Sequence, residues 1–236
     1  MKHPAWYYEV FSSVFSFQRD YEYEGRVINL LAPIEGRIVE EIGAGTGEHA
    51  RELVKYRPSR LLLVDSDPAA AAQLRQRFRQ RFVTVETADG FAKRPGPFAD
   101  VIVCLYSILQ LGVESEGVAS RFDSLVQRLS PGGSVVFEFI DTQVSRSVYP
   151  EGKVTEIIHS GNDELRIWTT YGERTMTIHY QGRVGRHAIA YAPRFASITR
   201  SFVEGVVRRN SELTLTAITA LDSAGRRLIA CASRGS

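Results

Sequence analysis

Cysteine is scarce in this 236-residue chain, with Cys104 and Cys231 the only two. Each lies inside an apolar run that reads as a strand, so both are expected as buried free thiols rather than as a disulfide or a metal pair. Net charge is nearly absent as well, at +2, which gives no electrostatic reason to bind nucleic acid or an anionic membrane. No stretch approaches the roughly 18 consecutive apolar residues of a membrane-spanning helix. The first residues, Met1-Lys2-His3-Pro4-Ala5-Trp6, hold no apolar block with a small-residue cleavage site. These absences predict a soluble, cytoplasmic protein. Lysine is also sparse beside arginine, a bias that fits a GC-rich bacterial genome. The 44% hydrophobic content is enough for the core of one domain with room for an insertion.

Along the chain, Trp6, Val10, Phe11, Val14 and Phe15, then Tyr21, Val27, Ile28 and Leu31, recur at helical spacing and predict two leading helices. Strands then alternate with helices: strands at 37–42, 60–65, 82–87, 98–105 and 134–140, helices at 48–56, 67–81 and 114–129. Asp67-Pro68 is a start signal, with Asp67 capping free amides and Pro68 at the first helical position. Ser130-Pro131-Gly132-Gly133 is a stop signal. Near-continuous apolar strands separated by helices predict a doubly wound, mostly parallel sheet covered on both faces. Beyond Asp141 the pattern becomes short alternating runs with turns at Gly161-Asn162-Asp163, Gly172-Glu173 and Gln181-Gly182, a small antiparallel β insertion. Helical spacing resumes over 193–209, and strands at 212–220 and 227–232 bring the main sheet to seven. The expected division is one α/β domain over 1–236. It comprises a helical leader (1–35), a core (36–140), a β-rich insertion or lid (141–192) and a C-terminal helix and hairpin (193–236). The insertion is also available as a homodimer surface.

The run Glu41-Ile42-Gly43-Ala44-Gly45-Thr46-Gly47 joins a strand end to a helix start. Glycines at alternate positions allow positive φ and leave no Cβ between loop and ligand. A dinucleotide fingerprint is spaced Gly-x-Gly-x-x-Gly, so the third glycine here comes one position early. Glu41 is placed to meet the ammonium of a methionine moiety. In a doubly wound sheet the ligand sits over the carboxyl ends of the strands. Asp65 ends the second strand, where its carboxylate suits two ribose hydroxyls. Ala88-Asp89-Gly90 follows the third, suited to an adenine amino group, and Leu105, Tyr106 and Ser107 follow the fourth.

Taken together with Leu129-Ser130-Pro131-Gly132-Gly133, these segments resemble the class I S-adenosylmethionine-dependent methyltransferases across residues 36–140. The resemblance implies a Rossmann-like methyltransferase fold with S-adenosylmethionine as cofactor. Its methionine part is expected on Glu41, Gly43, Ala44, Gly45 and Gly47, its ribose on Asp65 and Ser66, and its adenine on Asp89 and Gly90, with Leu105 beside the sulfur. The aromatic leader and the β insertion resemble small-molecule N-methyltransferases, including aminosugar N,N-dimethyltransferases. There Phe17-Gln18-Arg19-Asp20-Tyr21 is similar to a Lys-Asp-Tyr segment near the cofactor, with Arg19 in place of lysine, and Tyr8 is expected nearby.

The implied reaction is an in-line displacement at an activated methyl carbon, which needs no metal and mainly needs positioning. A neutral amine requires little more, whereas a hydroxyl nucleophile requires a base, for which Glu138, His187, His159 and His179 are candidates. Tyr21 and Tyr106 are the aromatic residues expected around the transferred methyl. The acceptor is expected to be a small molecule, most readily an aminosugar or amino-acid-like amine. The alternatives are O- or C-methylation, or a noncatalytic cofactor-binding partner protein. Nucleic acid is not expected: Arg75, Arg77, Arg79 and Arg81 spread around their helix. Residues 105–110, Leu-Tyr-Ser-Ile-Leu-Gln, also lack the Asn/Asp-Pro-Pro-aromatic tetrapeptide of base amino methylation.

Overall fold

The computed structural model describes Tyr7, Val10 and residues 19–93, 99–160 and 163–235. The first leading helix and Tyr8 therefore lie outside the described residues. Helix α1 (Tyr21–Leu31) is capped by Asp20, whose side chain accepts from the Tyr23 amide. Strands β1 (Ile38–Ile42), β2 (Arg60–Asp65), β3 (Val83–Thr87), β4 (Ala99–Cys104) and β5 (Leu129–Ile140) alternate with α2 (Glu48–Lys55), α3 (Pro68–Arg77) and α4 (Ser115–Val126). The predicted Asp67 cap forms, its carboxylate accepting from the Ala69 amide with Pro68 next to it. The helix expected to reach residue 81 stops at Arg77, because Phe78 turns extended and packs in the core. The Pro-Gly-Gly turn is present as an excursion inside β5: Ala99 pairs with Leu129 and Val101 with Ser134, so two steps on β4 face five on β5.

The chain then departs from the expected pattern. A short helix absent from the sequence reading, α5 (Thr142–Val148), follows β5, with Asp141 accepting from the amides of Gln143 and Val144. The insertion forms β6 (Val154–Ser160), β7 (Asp163–Tyr171), β8 (Thr175–Val184), β9 (His187–Tyr191) and β10 (Arg194–Ala196). Residues 194–196 had been expected as helix. They pair antiparallel with β8 instead, and helix α6 (Arg200–Arg209) begins only after the Thr199 cap. Strands β11 (Leu213–Ala220) and β12 (Arg227–Arg234) close the chain.

The main sheet has seven strands in the order β11-β12-β5-β4-β1-β2-β3. From β5 to β3 neighbouring strands are parallel, and only β12 and β11 join antiparallel. The chain leaves β1 toward β2 on one side and returns to β4 on the other. The switch in strand order therefore falls between β1 and β4, where doubly wound sheets bind ligands. Apolar layers cover both faces: α1, α2 and α3 contribute Ile28, Leu53 and Leu74 to one, α4 and α6 contribute Phe122, Leu125 and Val206 to the other. Cys104 and Cys231 are buried free thiols, as expected. No described helix is long and apolar enough to cross a membrane. The second sheet, β10-β8-β7-β6 with β9 against β8, packs Ile167, Met176, Ile178 and Phe195 on Ile140 at the end of β5.

Candidate functional site

A cavity of about 550 Å³ lies between the carboxyl ends of the main strands and the second sheet. Its floor is the loop after β1. Gly43, Gly45 and Gly47 all have positive φ, at 68°, 53° and 81°. A Cβ at Gly43 would stand 2.5 Å from Ile108 Cδ1, and one at Gly47 would meet Phe78 at 2.6 Å and Leu74 at 2.7 Å. Asp65, at the end of β2, is 8% exposed. It accepts from the Gly45 amide at 2.8 Å and the Asp67 amide at 2.9 Å, one on each oxygen. Burial raises its pKa, against these two amides. Each oxygen keeps acceptor capacity for a ligand hydroxyl. Ser66, Asp89 and Gly90 line the same end, Asp89 with one oxygen on the Phe91 amide at 2.9 Å.

Glu41, in β1 two residues before Gly43, is 3% exposed and is not among the residues that line the cavity. Burial, and then the charge of Asp65, push its carboxyl up to about 8. Its Oε2 has no hydrogen-bond partner among the described residues, and neither does Ser107 Oγ in the cavity wall. A buried carboxyl without a counterion beside a second carboxylate suits a cationic ligand group. With the glycine floor and Asp65, these atoms fit S-adenosylmethionine, whose ammonium and ribose hydroxyls match them in charge and hydrogen-bonding sense.

On the far side of the floor stands a buried charge network. Arg19 Nη2 is 2.6 Å from both Glu24 Oε2 and Glu138 Oε2. Arg227 bridges the same two carboxylates from the other side, Nη2 to Glu24 Oε1 at 2.7 Å and Nε to Glu138 Oε1 at 2.9 Å. Two cations thus balance two anions. Burial would raise Glu138, but Arg19 and Arg227 outweigh it and hold the carboxyl down to about 2. Glu24 is likewise held below its usual range despite burial, by the His49 hydrogen bond and Arg19. His49 Nε2 lies 2.7 Å from Glu24 Oε2. A carboxylate can only accept, so Nε2 carries the hydrogen. Burial lowers the His49 pKa, which leaves a neutral ring with Nδ1 as acceptor.

Tyr106 sits on this network. Its amide donates to Glu138 Oε2 at 2.9 Å, Arg19 covers its ring at 3.9 Å, and its hydroxyl is 2.5 Å from that of Tyr21. Tyr106 and Ser107 both have positive φ, at 55° and 53°, a conformation that costs on the order of 1–2 kcal/mol per non-glycine residue. The Glu138 carboxylate holds that turn, and Arg121 ties down the next one by donating to the carbonyls of Ile108, Leu109 and Leu111.

The candidates from the sequence thus divide. Arg19, Gly43, Ala44, Gly45, Asp65, Ser66, Asp89, Gly90, Tyr106 and Glu138 line the cavity. Glu138 does so as a bound anion, which removes it as a general base, because its oxygens are committed to two guanidinium groups and an amide. Tyr21 lies behind Tyr106, Leu105 packs in the core, and Gly47 backs onto Phe78 and Leu74. His187, on β9 beside Arg186, is not among the residues that line the cavity, and His179 stacks on Trp168. Sequence reasoning missed Glu24, His49 and Arg227. The available signal was Glu138 itself, a carboxylate in a strand covered on both faces, which must have buried cations.

Residues 39–133 match the family model described as Methyltransferase domain. Over that stretch the chain is similar to a methyltransferase domain. The chain superposes on S-adenosylmethionine-bound CalS10, an amino pentose methyltransferase from Micromonospora echinaspora, with TM-score 0.75 and 18% identity over 99% of this chain and 100% of that one. KedS8, a sugar N-methyltransferase from Streptoalloteichus, matches with TM-score 0.71 and 17% identity over 93% and 88%. An S-adenosylmethionine-dependent methyltransferase from Clostridium acetobutylicum gives TM-score 0.73 and 13% identity over 97% of both chains. Identities at this level establish a shared fold. Among curated protein sequences none matches.

Proposed function

We propose that this methyltransferase moves a methyl group from S-adenosylmethionine to an amine nitrogen of a small specialised metabolite. The observation that carries the reading is the continuity of the cavity, which runs from the glycine floor and Asp65 to the inner face of the second sheet. The cofactor supplies a methyl carbon already activated by a sulfonium. The chain's part is to hold that end through Asp65, Glu41 and the loop amides, and to close the other end over the acceptor. Positioning of this kind is worth about 7–11 kcal/mol. The polar groups at the cavity favour nitrogen. Burial pushes the Tyr106 hydroxyl well above the usual phenol range, and Glu138 is committed to arginines, so neither is a base for an alcohol. His49 lines the cavity, but burial lowers its pKa and makes it a weak base, and an amine that enters in its neutral form needs no base. The similarity in fold to an amino pentose methyltransferase and a sugar N-methyltransferase supports an amine acceptor.

The test is calorimetry with S-adenosylhomocysteine followed by turnover of S-adenosylmethionine with a panel of primary and secondary amines. Asp65→Asn keeps one acceptor oxygen and removes the charge. It is expected to weaken S-adenosylhomocysteine roughly tenfold, the loss of one charge-assisted bond. Unchanged affinity takes Asp65 out of the site. Binding without methylation of any amine removes the nitrogen assignment.

A further inference from the structure

Resting on the methyltransferase reading, we propose that Ser107 orients the acceptor: its hydroxyl oxygen accepts an N–H from the neutral amine and leaves the nitrogen lone pair turned to the methyl carbon. Ser107 stands in the turn after β4 and is 1% exposed, and its Oγ has no hydrogen-bond partner among the described residues. It also holds φ at 53°, next to Tyr106 at 55°. Left-handed backbone is routine for glycine and uncommon for serine. For Tyr106 the fold supplies a reason, since its ring lies under Arg19 and its hydroxyl meets that of Tyr21. No described side chain plays that part for the Ser107 hydroxyl. Glycine here would relieve the backbone, and alanine would remove the unpaired hydroxyl, so the serine carries two costs that the fold does not return. Such costs collect where a ligand supplies the missing partner.

The place of this turn favours the acceptor over the cofactor. Residues 106–112 run from the glycine floor to the second sheet: Ile108 packs against Gly43, Leu111 bridges to Phe195, and the Gly112 amide donates to the Arg194 carbonyl at 2.7 Å. Ser107 lines the cavity at the floor end of that run, where the two ligands must meet. Asp65 and the loop amides answer the ribose and methionine ends of the cofactor, and a sulfonium bears only carbon substituents and has no hydrogen to donate. A neutral amine is different. It reacts through its lone pair and brings N–H groups that need an acceptor once water is gone. A serine oxygen offers two lone pairs and turns about a single bond. Holding the N–H on one side fixes where the nitrogen lone pair points, the alignment that in-line displacement requires. That pair forms the new N–C bond, the S–C pair stays on sulfur, and the methylated ammonium releases its proton to water. A carboxylate in the same place would hold the acceptor as an ammonium, with no lone pair to give; an uncharged hydroxyl does not.

The experiment uses the full chain. S-adenosylhomocysteine binding is measured first by calorimetry, then turnover with a panel of aliphatic, benzylic and sugar amines, the member with the highest kcat/KM serving as probe. Absent cofactor binding brings down the methyltransferase reading, and binding without methylation of any amine brings down the nitrogen assignment; either takes the role of Ser107 with it before a variant is made. Ser107→Ala is expected to lower kcat/KM for the probe about tenfold, the loss of one hydrogen bond. Its S-adenosylhomocysteine affinity should be unchanged, and its thermal midpoint should rise by about 2–4 °C because an unpaired buried hydroxyl has gone. Ser107→Gly, which also relieves the backbone, should be as slow and no less stable than the parent. Activity lost while stability is gained is an outcome that a merely structural serine does not give. An undiminished kcat/KM in Ser107→Ala overturns the contact with the acceptor. Weakened S-adenosylhomocysteine binding gives the hydroxyl to the cofactor instead, and a lowered midpoint gives it to the fold; each overturns the proposal while the methyltransferase reading stands.

Discussion

Glu41→Gln is an isosteric change that removes a charge the protein can hardly accommodate. The carboxyl is pushed from its ordinary 4.5 up to about 8 in the folded chain, by burial and by Asp65. Below pH 4.5 it is protonated in both folded and unfolded states and costs nothing. As pH rises the unfolded chain releases the proton and the folded chain retains it, so stability falls by about 1.4 kcal/mol per pH unit until the pH reaches about 8. Integrated between pH 5 and pH 8, this one group removes about 3.5 kcal/mol. Glutamine does not titrate. Urea unfolding of both proteins at pH 5, 6, 7 and 8 should therefore give curves that diverge, with the variant gaining about 3.5 kcal/mol on the parent across that range. Parallel curves would refute the assignment of a neutral, buried Glu41. A second readout follows from the same electrostatics. A cation bound beside Glu41 restores its charge, so S-adenosylmethionine binding at pH 7 should release close to one proton, seen as a dependence of the calorimetric heat on the buffer's ionisation enthalpy. The variant should release none.

Two further outcomes are expected. Gly43→Ala places a side chain at φ 68° and against Ile108, and should cost at least about 1–2 kcal/mol in urea unfolding, with loss of S-adenosylhomocysteine affinity; an unchanged midpoint would mean the loop relaxes freely. Glu138→Gln leaves Arg19 and Arg227 sharing Glu24 alone, and should destabilise the protein by about 3–5 kcal/mol at pH 7. Because Glu138 is held down to about 2, its contribution should persist through mild acid and vanish only as the pH falls toward that value, which guanidinium-free acid titration of both proteins would show.

The core was readable because its signals are local. Asp67-Pro68, the glycine loop and the carboxylates at strand ends each declare themselves within a few residues, and the structure puts Gly43, Asp65 and Asp89 around one cavity. Short elements carry too little periodicity to be seen. Helix α5 spans 7 residues and β10 spans 3, less than the window in which a helical or strand period can be told from chance. The charge network was illegible for a different reason. Glu24 and Arg227 are 203 positions apart, and no spacing rule links groups that only tertiary structure brings together. His49, beside the glycine loop, lines the cavity, and His187, in the β insertion, is not among its lining residues.

Arg19 and Arg227 grip the same two carboxylates from opposite ends of the chain. Arg227 opens β12, which lies between β5 and β11 in the sheet. A nascent chain can therefore build the glycine loop and its flanking helices early, but the support beneath Tyr106 must wait until the last hairpin has been synthesised. Until then Glu24 and Glu138 have one guanidinium between them. The Tyr106 turn in the cavity wall is thereby tied to the chain's final strands: without Arg227, the Glu138 carboxylate that accepts from the Tyr106 amide keeps Arg19 as its guanidinium partner and loses the other.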